Sequence, residues 1–301
     1  MAIKDKAASV LVNLKNQARE IGVSYQICVQ LFCQEEFLRK VEKSSYFENF
    51  ILKGGMLIYT LTEFDGRPTR DIDFMVRWLS NETSSINQVM EEICVVNTGN
   101  DFIKMEVLGS EDITEDQEYH GVKTKFRAYI KNVQIPFSID VGIDDIVIPG
   151  IIKRTISTRL NQFHPPTIYT YSLESTISEK FDAIIKRMEA TSRMKDFFDI
   201  YYLSSMFEFE GEKLQEAIFK TLEHRGTNYS SESFERIKAF KESAFLLNLW
   251  NNYESGTNDK KLEFSIIIDR LEEFLEPVFN AVVNKTEFLA SWSNTSNSWI
   301  V

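Results

Sequence analysis

The stretch Asp71-Ile72-Asp73-Phe74 holds the residues best placed to do chemistry. Side chains alternate along a strand, so Asp71 and Asp73 share one face while Ile72 and Phe74 share the other. Carboxylates held side by side repel unless a cation lies between them. Mg²⁺ suits that place, because it is a hard ion that takes one or two carboxylates plus substrate phosphates. By itself the same alternation also describes a strand with an incidentally acidic outer face. Upstream, Gly54-Gly55 follows the apolar run Phe47 to Leu52, with Lys53 between them. Glycine at a strand-to-helix junction lets the backbone approach a phosphate, and the helix start supplies free N–H groups and a favourable dipole. A third acid, Asp140, lies in Phe137-Ser138-Ile139-Asp140-Val141, again with apolar neighbours at strand period.

A second constellation spans Tyr171 to Leu203. Ser172 suits a helix cap, and Ile177, Phe181, Ile184, Ile185 and Met188 fall on one core-facing stripe. Lys180 lies about 60° to one side of that stripe, where it can reach from a buried edge toward a cleft. Arg193, Lys195 and Asp196 then precede Phe197-Phe198-Asp199, with Asp196 and Asp199 three apart on one helical face. A helix with an acid in its first turn is an equally good description of those residues.

These groups need elements to carry them. Hydrophobic spacing predicts helices over 4–20, 26–43, 56–62 and 84–95, the last capped by Ser80 or Asn81. Strands are predicted over 47–52, 71–76, 102–108, 124–131 and 135–141, with an acidic solvated loop at 111–118. His164-Pro165-Pro166 breaks the pattern, because the residue before proline is pushed out of helical geometry. Beyond it, helices are expected over 173–190, 194–206, 211–224, 232–250, 262–275 and 277–290. The fold class is therefore α+β: a mixed-sheet domain over 1–165, then an all-helical domain over 166–301 that brings Lys180 and Asp196 to the site.

Composition narrows the function. The 301 residues are 43% hydrophobic and 26% charged with 12 Gly and 6 Pro, which excludes collagen-like and largely disordered chains. Lys and Arg number 34 against 45 Asp and Glu, a net charge of −11, which argues against a general nucleic-acid coat. The charge is uneven, however. The segment 121–131 has no acid, and Lys123, Lys125, Arg127 and Lys131 share odd parity and so one strand face. That face could hold an RNA backbone or simply be solvated. Cys28, Cys33 and Cys94 are an odd number without a CxxC, and His120, His164 and His224 are scattered, so a zinc site is not expected. Without a secretory-type leader or an apolar run of about 18–20 residues, the expectation is a cytoplasmic protein with no membrane span.

The order of these motifs, Gly-Gly, then Asp-x-Asp, then a later apolar-Asp-apolar strand, is similar to that of nucleotidyltransferases of the polymerase-β type. From about residue 45 to 205, the blocks LKGGMLIY, GRPTRDIDF, FSIDV, SLESTISEKFDAIIKR and SRMKDFFDIYYL resemble the AbiEii/AbiGii toxin family. These are the toxin halves of type IV toxin–antitoxin and abortive-infection systems. The resemblance implies a polymerase-β-like fold and transfer of a nucleotide from an NTP, with relatives acting on tRNA acceptor ends. It assigns Asp71 and Asp73, with Asp140, to metal, and Lys53, Gly54, Gly55 and Arg70 to the nucleotide. Lys180 and Asp196 match the family's essential lysine and acid. Met56-Leu57-Ile58 stands where many relatives carry Thr-Ala-Leu, so contacts to phosphate there would come from backbone. A cognate antitoxin is an implied partner. Transfer to a protein hydroxyl or a small molecule, and a non-catalytic NTP-binding role, use the same residues and remain open. So does antitoxin binding through Phe207, Phe209, Trp250 or Trp292 of the last hundred residues.

Overall fold

The computed structural model describes residues 5–64, 66–113, 121–143, 145–253 and 262–301. Contacts divide the chain into two compact units, Met1–Asp145 with Ile152–Thr170, and Ile146–Ile151 with Tyr171–Val301.

The first unit opens with α1 (Lys6–Glu20) and α2 (Tyr25–Lys43). Asp5 and Ser24 cap them, accepting from the amides of Ala8 and Ile27. A short strand, β1 (Phe50–Lys53), runs straight into α3 (Gly54–Leu61), and β2 (Asp71–Val76) and α4 (Thr83–Cys94) follow. Then come β3 (Ile103–Ile113), β4 (Gly121–Ile130), β5 (Val133–Ile143), β6 (Ile152–Thr155) and β7 (Thr167–Thr170). All seven strands form one sheet in the order β3-β4-β5-β2-β1-β7-β6. β2 pairs parallel with β5 and β1 parallel with β7, and the remaining pairs are antiparallel.

Alternation gives this sheet two unlike faces. Ile72, Phe74, Phe126, Ile139 and Val141 are fully buried on one. Phe37 of α2 packs there, 6.4 Å from the ring of Phe74 and 5.4 Å from that of Phe126. Burial of each such side chain stabilises by about 1.5–3 kcal/mol, which locks the opposite face outward with its polar residues. α2 is itself buried almost all round, so its charges must pair internally. Arg39 meets Glu36 at 3.0 Å and Glu35 at 3.4 Å.

The second unit holds α5 (Leu173–Arg187), α6 (Met194–Met206), α7 (Gly211–His224), α8 (Glu232–Lys238), α9 (Ala244–Asn252) and α10 (Phe264–Asn284). Phe181 of α5 packs edge-on against Phe279 of α10 at 5.5 Å. A small sheet accompanies the helices: β8 (Phe209–Glu210) pairs with β9 (Ser291–Ser293), which pairs with β10 (Ser298–Ile300).

Several sequence expectations need correction. The 84–95 helix starts from Glu82 with no side-chain cap, because Ser80 turns its hydroxyl to the Glu82 amide instead. Glu111 and Asp112 belong to β3 rather than to a loop, and 114–118 lie outside the described residues, as does His120. The 232–250 helix is broken by a 3-10 turn at Ala239–Glu242. Conversely, 262–275 and 277–290 merge into α10, which runs through Pro277 because Phe274, Leu275, Val278 and Phe279 bury its apolar face. That burial outweighs the backbone bond proline removes. The helix ends at Lys285 in left-handed geometry. The cysteines are free and buried. Among the described residues no helix is long and apolar enough to cross a membrane.

Candidate active site

The polar face of the first unit's sheet assembles the acids. Strand register places Lys53, Asp73, Asp140, Lys123 and Glu111 in one row across β1, β2, β5, β4 and β3. Asp71, Ser138, Lys125 and Gly109 form the row beside it. Asp73 and Asp140 are thus direct neighbours on parallel strands, with a lysine on either side. Adjacent strands lie about 4.8 Å apart, so unscreened carboxylates at this spacing repel.

The electrostatics follow from that arrangement. Burial pushes the Asp140 carboxyl up to about 6; Lys123 pulls it down, and Asp73 and Asp71 push it up. Lys123 Nζ lies 3.2 Å from both Asp140 oxygens and donates to Oδ2. Oδ1 is buried and accepts no hydrogen bond among the described residues. The acids around Lys123, Asp140 first, lift its pKa against the opposing effect of burial. Asp71 accepts a hydrogen bond from Ser138 Oγ.

Gly54 begins α3 at φ +66°, a left-handed conformation that glycine adopts without strain. A Cβ built there would lie 2.1 Å from Asp73 Oδ2, so the glycine lets the helix start close over the acid. At Gly55 a Cβ would come within 2.9 Å of Thr69 Oγ1 and 3.5 Å of Arg67 Nη2. Lys53 precedes the helix and pairs with Asp145 at 3.3 Å. The start of β2 is clamped from α2: Gln30 and Gln34, one turn apart, both donate to the Arg70 carbonyl, at 2.6 and 2.8 Å.

In the second unit Lys180 is buried and donates to Asp196 at 3.2 Å and to Asp199 at 2.6 Å. Arg193 Nε donates to the other Asp196 oxygen at 2.7 Å. Burial works to raise the Asp196 pKa, but Lys180 and Arg193 outweigh it and hold the carboxyl below its ordinary value. Asp196 also sits in the first turn of α6, where the helix dipole favours a negative charge.

The sequence-predicted residues fall as follows. The structure brings Asp71, Asp73, Asp140, Lys53, Gly54 and Gly55 together, with Arg70 at the start of the same strand. It joins Lys180 to Asp196. The basic face is only partly as expected. Lys123 serves Asp140, Lys125 pairs with Glu111 at 2.8 Å, and Arg127 lies 3.8 Å from Glu106. Lys131 is not on the strand at all; it sits in the following turn at φ 54° and pairs with Asp5. Sequence reasoning missed Ser138, Lys123 as an acid partner, and Asp199 as the second partner of Lys180. Ser138 was findable, since it precedes Asp140 by one strand period. The pairing of Lys123 with Asp140 depends on register and was not.

Among the described residues no group of three or more His, Cys, Asp or Glu side chains is gathered closely enough to hold a metal ion by itself. The donor chemistry of the row nonetheless fits a hard divalent cation. Asp71, Asp73 and Asp140 offer carboxylate oxygens, and Asp140 Oδ1 is buried without a hydrogen bond among the described residues.

The model of the family described as the nucleotidyl transferase AbiEii toxin, type IV TA system, matches residues 36–284. The chain belongs to the AbiEii nucleotidyltransferase toxin family. No curated protein matches it. Among solved structures it is similar to JHP933 from Helicobacter pylori, with 12% identity, a TM-score of 0.50, and 86% of this chain and 97% of that one covered. A crystal structure of a proposed nucleotidyltransferase from H. pylori gives 12% identity, a TM-score of 0.47, and 88% and 100% coverage. The JHP933 likeness shows that the AbiEii member described here shares its fold. The fold is α+β, and in this chain its mixed sheet carries the acid row.

Proposed function

We propose that this AbiEii-family toxin transfers a nucleotide from an NTP to the 3′ acceptor end of tRNA in a Mg²⁺-dependent reaction. Blocking translation in this way would arrest growth or defend against phage. The observation that supports it best is the acid row beside the glycine turn: Asp73 and Asp140 adjacent in register, Asp71 next to them, and Gly54 packed over Asp73.

Asp71, Asp73 and Asp140 are the residues that would hold the metal. When bound, such ions activate an attacking hydroxyl and stabilise a departing pyrophosphate. The backbone amides at Gly54 and Gly55 cradle the triphosphate, and Lys53 offsets its charge. Asp140, adjacent to Asp73 in register, is also the carboxylate assigned to take the proton of the acceptor hydroxyl. Lys180, positioned by Asp196 and Asp199, is assigned to the charge that builds as pyrophosphate leaves, which is electrostatic rather than covalent work. A cognate antitoxin is the proposed partner.

The test is incubation of the purified protein with total tRNA and each α-³²P-NTP, with Mg²⁺ or with a chelator. Label that is nuclease-sensitive, chelator-sensitive and absent with Asp73→Ala supports the reading. Label that resists nuclease but yields to protease would redirect it to a protein hydroxyl.

A further inference from the structure

The first unit carries a cleft of about 520 Å³ that touches the acid row on one side only. Asp71, Ser138 and Lys123 line it, whereas Asp73, Gly54, Gly55 and Lys53 do not. It therefore opens on the side of the acids away from the glycine turn assigned to triphosphate. Its other walls combine two kinds of group. Ile27, Leu108, Pro136 and Phe137 give an apolar lining, and Gln26 and Gln30 bring amides to it. Three cations, Arg70, Lys123 and Lys125, stand around it. The exposed Arg70 guanidinium has no ion-pair partner among the described residues.

Leu108 is the most telling member. The β3–β4 register shifts between Val107 and Gly109, and Gly109 takes φ +144°. Such a bulge re-aims a side chain. Leu108 is left 47% exposed at the cleft rather than buried in the sheet's core.

We infer that this cleft receives the unpaired terminal nucleoside of the acceptor, with its base against Leu108 and Pro136 and its hydroxyl toward Asp71. The inference rests on the proposed transferase reading and deepens it. Single-stranded bases are recognised by packing against flat apolar groups and by hydrogen bonds to their edges, which the exposed Gln26 amide supplies. Arg70 and Lys125 suit the adjoining phosphates. The same three cations disfavour a polycationic small molecule as acceptor, and a base held in a duplex cannot enter between the walls.

Direct binding tests it without requiring transfer. A 5′-fluorescein single-stranded hexaribonucleotide is titrated with the full chain by anisotropy, beside a blunt duplex of the same sequence and, separately, a fluorescent NTP. The expected result is at least tenfold weaker duplex binding. Leu108→Asp and Gln26→Ala, both at exposed positions, should each weaken single-strand binding, Leu108→Asp by tenfold or more, while NTP affinity stays within twofold. Unchanged single-strand affinity in both variants would overturn the inference, as would duplex binding as tight as single strand. So would a loss of NTP affinity instead, which would make the cleft the NTP's base site, or a protein labelled in a Leu108-dependent manner. Absence of transfer to every acceptor, with this binding pattern intact, would overturn the transferase reading and leave the cleft assignment standing.

Discussion

Asp140 shows how a residue suited to chemistry weakens the fold that holds it. Its folded pKa of about 6 exceeds the ordinary aspartate value of 3.8, so the folded state binds the proton more tightly than the unfolded one. The sign follows directly. Stability from this group is fully present below about pH 3.8, falls as pH rises toward 6, and stays low above it. Asp140→Asn removes the titration. At pH 7.5 it should raise the unfolding free energy by about 1–2 kcal/mol, less than the shift alone implies at 1.36 kcal/mol per unit because the bond from Lys123 is weakened. Urea unfolding at pH 7.5 and at 3.5 checks this, with the gain expected only at the higher pH, and transfer should be abolished. Gly54 makes the complementary case. Gly54→Ala places a methyl on Asp73 and a non-glycine residue at φ +66°, so a loss of about 1–3 kcal/mol and of all transfer is expected. A variant with wild-type unfolding free energy would show that the helix start can retreat from the acid.

Elements differ in how much of their role the sequence reveals. β2 is legible to the residue, because Asp71–Phe74 alternates acid and apolar side chains and Met75-Val76 extends it as an apolar pair. The α5 stripe is equally plain. Register is not legible: nothing local in Gly121–Ile130 says that Lys123 will face Asp140, which follows from the hairpin joining β4 to β5. The β9–β10 hairpin escaped because its strands are three residues long and rich in serine. The aromatics considered as antitoxin anchors are mostly core: Phe209, Trp250 and Trp292 are buried, and the Trp292 indole donates to the Ser204 carbonyl. The α5–α6 pair yields a prediction at this scale. Lys180→Met leaves Asp196 and Asp199 buried without their shared cation, and a loss of about 3–5 kcal/mol is expected. Adding Asp196→Asn and Asp199→Asn should recover most of it, as measured by urea unfolding of the full chain. A recovered but inactive triple variant would separate work by Lys180 on the substrate from its structural work; a recovered and active one would remove Lys180 from the mechanism.

At the scale of the whole molecule, a chain of net charge −11 must still hold a polyanion if it modifies RNA. The sheet's basic side chains show how limited that hold is. Lys123 is engaged by Asp140, Lys125 by Glu111, Arg127 lies by Glu106 and Lys131 by Asp5, so few cations meet a phosphate without first leaving an acid. Counting Arg70, Lys123 and Lys125 around the cleft, the plot of log affinity for single-stranded RNA against log salt should slope no more steeply than about −2, at about 0.7 per phosphate contact. A protein that coats RNA through six to ten contacts would give about −4 to −7 by the same relation. Lys125→Ala should flatten the slope by less than one, uniformly across sequences, because a phosphate contact positions without reading bases. Anisotropy titrations between about 50 and about 300 mM KCl would check both. A slope steeper than −4 would place the RNA-binding surface elsewhere on the chain. A shallow slope with the expected loss in Lys125→Ala would mean that selectivity comes from shape and a single unpaired base, which suits an enzyme that must act on one end of its acceptor and release the rest.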